Sequence, residues 1–234
     1  MSRVQFPRAT DTISFRRRPA EETEEERKQR RRDECLLLFW LLFQDTEASL
    51  FRDVDDLVIG TLNPNTWGRS VAATLLGAHS HAAYIGRRLA GSNVPFGQTD
   101  LDFGASIMDQ QQPFLEGFIS DLWGGRYTEG DAGFGLAPLL PAPVKRRVQM
   151  YAVRLRGTGN EAWTVMLPND TAIYWDMLEG EDHCENCPEL QASSPYTPLS
   201  IPTFPGAGDT QCMFNCKCSL HTEYGLEAFP ILEY

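Results

Sequence analysis

The chain contains little that would carry it into or across a membrane. Among its 234 residues the longest unbroken apolar run is the eight residues Leu36 to Phe43 in "CLLLFWLLFQ", well short of the roughly 18 needed to span a bilayer. No secretory leader is expected, because "MSRVQFPRATDTISFRRRPAEETEEERKQRRRDE" is polar and charged and no small-residue cleavage pattern follows the apolar run. There is no Walker loop, no Gly-x-Ser-x-Gly elbow and no carboxylate pair singled out by its context, which removes the commonest nucleotide-hydrolase and serine-hydrolase readings. Basic residues are also short where they would matter for a nucleic-acid grip. From residue 160 onward the chain has twelve acidic side chains and one basic one, Lys217, within a formal net charge of −11 for the whole. Such a segment repels phosphate.

What is present supports a globular protein. An apolar fraction of 42% is enough for one large domain or two small ones with a packed core. Five of the six cysteines fall between 184 and 218, in "HCENCPEL" and "QCMFNCKCSLH". In the reducing cytoplasm expected for this chain, thiols grouped in this way are metal ligands more often than disulfides. Cys184 and Cys187 have the Cys-x-x-Cys spacing that lets one tight turn bind a zinc ion with two thiolates. The other half of a tetrahedron comes from Cys212, Cys216 and Cys218, with His183 and His221 in reserve. The preferred set is Cys184, Cys187, Cys212 and either Cys218 or Cys216, and the sequence leaves open which donor stands aside. Enough thiolates are available to close all four positions, so the reading is structural Zn2+ and not a catalytic ion with an open corner. His221-Thr222-Glu223 matches the His-x-Glu of zinc deaminases, but here the cysteines precede it, the reverse of the deaminase order.

Periodicity assigns most of the remainder to helices. Residues 1–18 read as an arm. A helix is predicted from Pro19, with Glu21 to Glu26 opening it, Arg27 to Arg32 following, and favourable pairs at Glu24/Lys28 and Glu26/Arg30. It runs into the apolar stretch at 36–43, read as core, with a partner-docking face as the alternative. A second helix is predicted over 68–91, where Ala78, Ala82 and Gly86 make a stripe of small residues that lets another helix approach closely. His79 and His81, two positions apart, face different sides and are read as structural. A third helix is expected to start near Pro113, with Phe114, Phe118 and Leu122 on one face, and a Gly/Pro-rich connector spans 128–143. A fourth helix places Val144, Val148, Tyr151 and Leu155 on one side and stops at Gly157. "EAWTVMLPNDTAIYWDML" reads as two short strands around Pro168, Asn169 and Asp170. Between the cysteine pairs, five prolines favour an extended chain, and Gly206 with Gly208 permit the turn back to Cys212. Cys35 reads as a small buried residue. The fold class is therefore α+β: an arm (1–18), a helical domain (19–159) and an acidic Cys-rich module (160–234) built as a small β-hairpin and loop on zinc.

The run of features "RRVQMYAVRLRG", a Trp-containing segment, "HCENCPEL", "PYTPLSIPTFPGAGDTQC" and "NCKCSL" resembles the minor head, or head-morphogenesis, proteins of tailed bacteriophages, the Mu F-like group. The likeness is specific over about 140–222 and general over 35–125. In place of the His found in many relatives, this chain has Cys212, which leaves the third ligand unsettled. The resemblance implies a non-enzymatic virion protein, assembled in the host cytoplasm and lodged in the head. Its implied partners are portal or major capsid subunits, and it implies a role in head assembly and in handling the DNA. The alternatives are a capsid decoration protein and a small zinc hydrolase or nuclease using His183, His221 and Glu223. Arg16 to Arg18 and Arg27 to Arg32 offer a possible DNA contact, although the interspersed glutamates favour a solvated helix. No membrane role is expected.

Overall fold

The computed structural model of the chain describes residues 23–213 and 216–230; the arm expected at 1–18 and the helix start expected at Pro19 lie outside them. The fold is mainly helical with one two-stranded antiparallel sheet near the C-terminus. The first helix, α1 (Glu24–Val58), opens on a capping box: the Thr23 side chain takes the Glu26 N–H and the Glu26 carboxylate returns to the Thr23 N–H. The helix therefore starts at Glu24, because Thr23 satisfies the orphan donors there. Lys28 pairs with Glu24 at 3.3 Å, as the spacing predicts. Cys35, Leu36, Phe39 and Phe43 are buried while Leu38 and Leu41 are exposed, so one stripe of the apolar run enters the core.

Helix α2 (Pro64–Leu89) begins behind Asn63, whose side chain takes the Thr66 N–H at 3.0 Å, and has Pro64 in its first turn. Helix α3 (Gln98–Trp123) starts 15 positions before Pro113, correcting the sequence expectation. Its buried residues, Asp100, Gly104, Ile107, Met108, Gln111, Leu115, Phe118 and Leu122, recur every three or four positions, but too many are polar or small to give an apolar period. Pro113 is tolerated within the helix because it sits on the exposed side, where water can take the carbonyl it leaves unpaired. Phe114 also points outward, 62% exposed, and not onto the core face expected of it. A buried, two-pronged ion pair joins the helices: Arg87 Nε and Nη2 each donate to an Asp100 carboxylate oxygen at 2.7 Å.

A single 3-10 turn (Glu129–Asp131) interrupts the connector, which ends at α4 (Pro141–Val153). The next helix, α5 (Leu155–Val165), runs through both Gly157 and Gly159, so Gly157 does not stop a helix. Nine of its eleven residues are buried, and the expected 159/160 boundary falls inside it. The segment read as two local strands is instead the end of α5 followed by one strand, β1 (Ile173–Asp176). After the short helix α6 (Asn186–Ala192) comes β2 (Ser219–Thr222), which pairs with β1 in the register Ile173↔Thr222, Trp175↔Leu220. The sheet is thus a long-range pairing and not a hairpin.

The small-residue stripe on α2 receives α5. A Cβ added at Gly86 would stand 2.3 Å from the Gly159 carbonyl oxygen and 3.1 Å from the Ala162 Cβ. At the same contact His79 is fully buried, its Nδ1 2.8 Å from the Thr158 hydroxyl and its Nε2 2.9 Å from the Gln111 amide nitrogen. It is structural, as expected, and joins α2, α3 and α5. Burial first, then the nearby Arg154 charge, push its pKa down to about 3, against a smaller upward pull from Gln111.

Two predictions follow from this joint. Gly86→Ala should lower unfolding stability by about 1–3 kcal/mol, because backbone has to move to admit the methyl, measurable by urea titration. His79 has a folded pKa below its unfolded value near 6.5, so its contribution is complete above about pH 6.5 and is lost as pH falls toward 3, at up to about 1.4 kcal/mol per pH unit. His79→Gln should flatten the stability-versus-pH curve between about pH 6 and pH 4 relative to the parent, read by thermal melts across that range.

Candidate metal centre

Two turns of chain, far apart in sequence, meet under the sheet. The first is "HCENC": the Cys187 N–H donates to the Cys184 carbonyl at 3.1 Å, so both thiols project to one side at the head of α6. The second holds Cys212, Cys216 and Cys218 and leads directly into β2. Gln211 clasps the two turns together, donating its N–H to Asn186 Oδ1 at 3.1 Å and accepting from the Glu185 N–H at 3.2 Å.

The thiols converge as the spacing implied. Cys184 Sγ lies 3.3 Å from Cys187 Sγ and 3.5 Å from Cys212 Sγ, and Cys187 to Cys212 is 4.0 Å. Thiolates bound to one zinc at about 2.3 Å stand about 3.8 Å from one another, so this triad has the dimensions of one face of a zinc tetrahedron. All six cysteines are free thiols. A second group able to hold an ion consists of His183, Cys187 and Cys218; His183 Nδ1 is 3.9 Å from Cys218 Sγ. Cys216 belongs to neither triad, yet its thiol interacts with those of both Cys218 and Cys212. His183, held in reserve by sequence reasoning, is therefore drawn into the cluster. Among the described residues His221 and Glu223 join neither group; the His221 ring stacks on Tyr174 and its Nδ1 meets Asp176 Oδ2 at 2.7 Å, on the outer face of the sheet.

The thiols are unequal. Cys216 is pushed down to about 5, mainly by the hydrogen bond from Cys218, and the Arg156 charge helps. Burial lifts Cys184, but hydrogen bonds from Cys187 and Cys212 outweigh it and leave the thiol at about 7. Cys187 is raised to about 11, by burial first and then by sharing its proton with Cys184. Cys212 is raised by burial, and Cys218 by donating to Cys216 and by burial. Thiols crowded in this way hold one another's protons, and a divalent cation is the ordinary means of removing those protons together.

The surroundings also suit a thiolate-bound ion. The Thr210 hydroxyl sits 3.1 Å from Cys212 Sγ. The Trp175 indole N–H is buried with no hydrogen-bond partner among the described residues, and it lies beside Cys218, where it favours the thiolate. Arg156, a residue the sequence reading overlooked, is 2% exposed. From α5 it donates Nε to the Phe229 carbonyl at 3.1 Å, Nη1 to the Cys216 carbonyl at 2.6 Å and Nη2 to the Cys218 carbonyl. The donor set and this shell of hydrogen-bond donors fit a zinc ion. The loop between the cysteine pairs has further anchors: Asn160 Nδ2 donates to the Pro205 carbonyl at 2.9 Å, and Tyr196 exchanges backbone hydrogen bonds with Ile173 at 2.7 and 2.8 Å. Gly206 and Gly208 both take positive φ, 84° and 96°, in the turn back toward Cys212.

Comparison of the chain with protein-family models, with curated proteins and with solved structures gave no match. The reading of the site therefore rests on its chemistry.

Arg156→Met should remove three hydrogen bonds from buried carbonyls and loosen the second cysteine turn. The expected result is a loss of about 2–4 kcal/mol in folding stability and a roughly 10- to 100-fold fall in zinc affinity. Arg156→Lys should recover little of either, because an ammonium cannot reach three carbonyls in a planar fork. Competition with a zinc-binding dye, together with chemical denaturation, reads both.

Proposed function

We propose that the chain is a non-enzymatic structural protein whose Cys-rich C-terminal module (160–234) is fastened by zinc. The observation that carries the reading is the buried convergence of thiols from two separate turns: Cys187 and Cys216 are 1% exposed and Cys218 is 0% exposed. A catalytic ion needs an open position facing substrate, whereas these donors face one another. The outward placement of His221, away from both groups of ligands, weakens the hydrolase alternative.

The biological setting we propose is the head of a tailed phage, with the chain acting as a minor head or head-morphogenesis component against portal or capsid subunits. Support comes from the motif resemblance over 140–222 and from the acidic charge of residues 160–234, which suits contact with protein more than with DNA. Any DNA contact falls to the arginines near the N-terminus. In the described part of that cluster, Lys28 and Arg30 meet Glu24 and Glu34 along the helix, as on a solvated face, while Arg32 reaches Glu227 near the C-terminus.

Two measurements test the reading. Metal analysis of the purified protein should find stoichiometric zinc, and a chelator should lower its melting temperature; zinc-free protein with unchanged melting refutes the structural role. Quantitative mass spectrometry of particles whose genome encodes the chain should find it in few copies per particle. Its absence refutes the head assignment, and many copies favour a decoration protein.

A further inference from the structure

Two cations in the first turns of α1 have acidic partners. Lys28 is 3.3 Å from Glu24 and 3.7 Å from Glu25, and Arg32 reaches Glu227. Arg31 is different. One helical turn to either side of it lie Arg27 and Cys35 and not an acid, and Glu34, three positions on, is taken by Arg30 at 2.9 Å and Arg88 at 3.7 Å. Among the described residues the half-buried Arg31 side chain has no hydrogen bond and no ion pair.

Arg31 lines a cleft of about 350 Å3 where the start of α1, the end of α2 and the turn after β2 meet, a volume that suits a small ligand or a few peptide side chains. The guanidinium rests over Gly91, where a Cβ would stand 3.0 Å from Nη1. Leu89 and Leu226 give the cleft an apolar lining, and Tyr224, 78% exposed, stands at its edge. The turn that forms one wall is fixed in advance: the Gly225 N–H donates to the Thr222 carbonyl at 3.0 Å and the Leu226 N–H to the Thr222 hydroxyl at 3.1 Å. The Arg32–Glu227 pair ties that wall to α1.

The charge of the lining selects the ligand. Lys28, Arg31 and Arg32 stand against Glu25 and Glu227, which leaves one positive charge unmatched, the one on Arg31. A monoanion balances it, whereas a phosphate dianion would bring excess negative charge beside two carboxylates. A guanidinium fork grips a planar carboxylate through two parallel N–H bonds. We propose that the cleft docks a peptide segment of a partner protein, which places an Asp or Glu carboxylate on Arg31 and an adjoining large apolar side chain against Leu89 and Leu226. A peptide carries both groups on neighbouring side chains, and an exposed tyrosine at the rim is a residue type enriched in protein interfaces. The inference goes beyond the structural-zinc reading and does not depend on it, since no residue of the cleft belongs to either group of metal donors.

Titration of isotope-labelled full-length protein with N-acetyl-Leu-Glu-Leu-amide, followed by amide NMR, tests the proposal. Saturable shifts are expected at Leu89, Ala90 and residues 224–227, with a Kd on the order of 1 mM. Binding should weaken at least about 10-fold in Arg31→Gln and less in Arg31→Lys, which keeps the charge and loses the fork. The neutral isostere N-acetyl-Leu-Gln-Leu-amide should not bind. No saturable shift up to about 20 mM, equal binding of the glutamine peptide, or undiminished binding in Arg31→Gln overturns the proposal. Acetate or inorganic phosphate binding at the same amides as tightly as the peptide would assign the cleft to a small anion and overturn it too. If Arg31→Gln does not fold, Tyr224→Ala, at an exposed side chain, takes its place, and unchanged peptide affinity in that variant counts against the docking site.

Discussion

The architecture depends on a buried guanidinium. Arg156 projects from α5, nine of whose eleven residues are buried, and its fork ties three carbonyls of the C-terminal chain to the helical body. Removing a charged group from water is costly, and the cost is recovered only where hydrogen bonds and an opposite charge are both supplied. The carbonyls supply the first, and the lowered Cys216 thiol beside Arg156 supplies the second. The cysteine cluster and the helical body are therefore tied to each other through Arg156, and a boundary drawn at 159/160 divides a helix that serves both. The Phe229 ring makes the same connection through packing, stacking on Phe39 of α1 at 4.3 Å.

The helical part of the fold was legible where the sequence repeats an apolar period and illegible where packing uses glycine and polar residues. The α2 stripe of Ala78, Ala82 and Gly86 announced a close neighbour, and α5 is that neighbour. The start of α3 was hidden because its buried face includes Asp100, Gly104 and Gln111, each of which is accounted for only by a partner on α2: Arg87, Ser80 and His79. Gly157 looked like a helix stop, and Gly159 follows two positions later. They are inside a helix because the Gly206 carbonyl and the Phe229 ring approach too closely for any side chain, a tertiary demand that overrides the local cost of glycine.

The gathering of Cys184, Cys187, Cys212 and Cys218 was legible in the sequence; the entry of His183 and the place of Cys216 outside both groups were not. Cysteine spacing marked thiols that could hold an ion, because Cys-x-x-Cys and Cys-x-Cys are local patterns. No motif indicated that the Leu178 carbonyl, five positions back, would orient His183, and the turn of His221 outward to Asp176 is set by the long-range register of β1 on β2. Arg156 carried no motif at all. In "KRRVQMYAVRLRGTGNEAW" it is one of four arginines beside polar residues, and nothing in the pattern sets it apart from the others.

The pairing of β1 with β2 also sets an order of events during synthesis. Strand β1 emerges from the ribosome well before Ser219–Thr222 exist, and until they arrive its Trp175 edge has no partner. The helices α1 to α5 are local and can consolidate first, while Cys184 and Cys187 wait for their distant counterparts across the stretch 188–211. A nascent chain stalled or cut within that interval would present half a chelating site and an open strand edge, the two features most apt to capture a second unfinished copy.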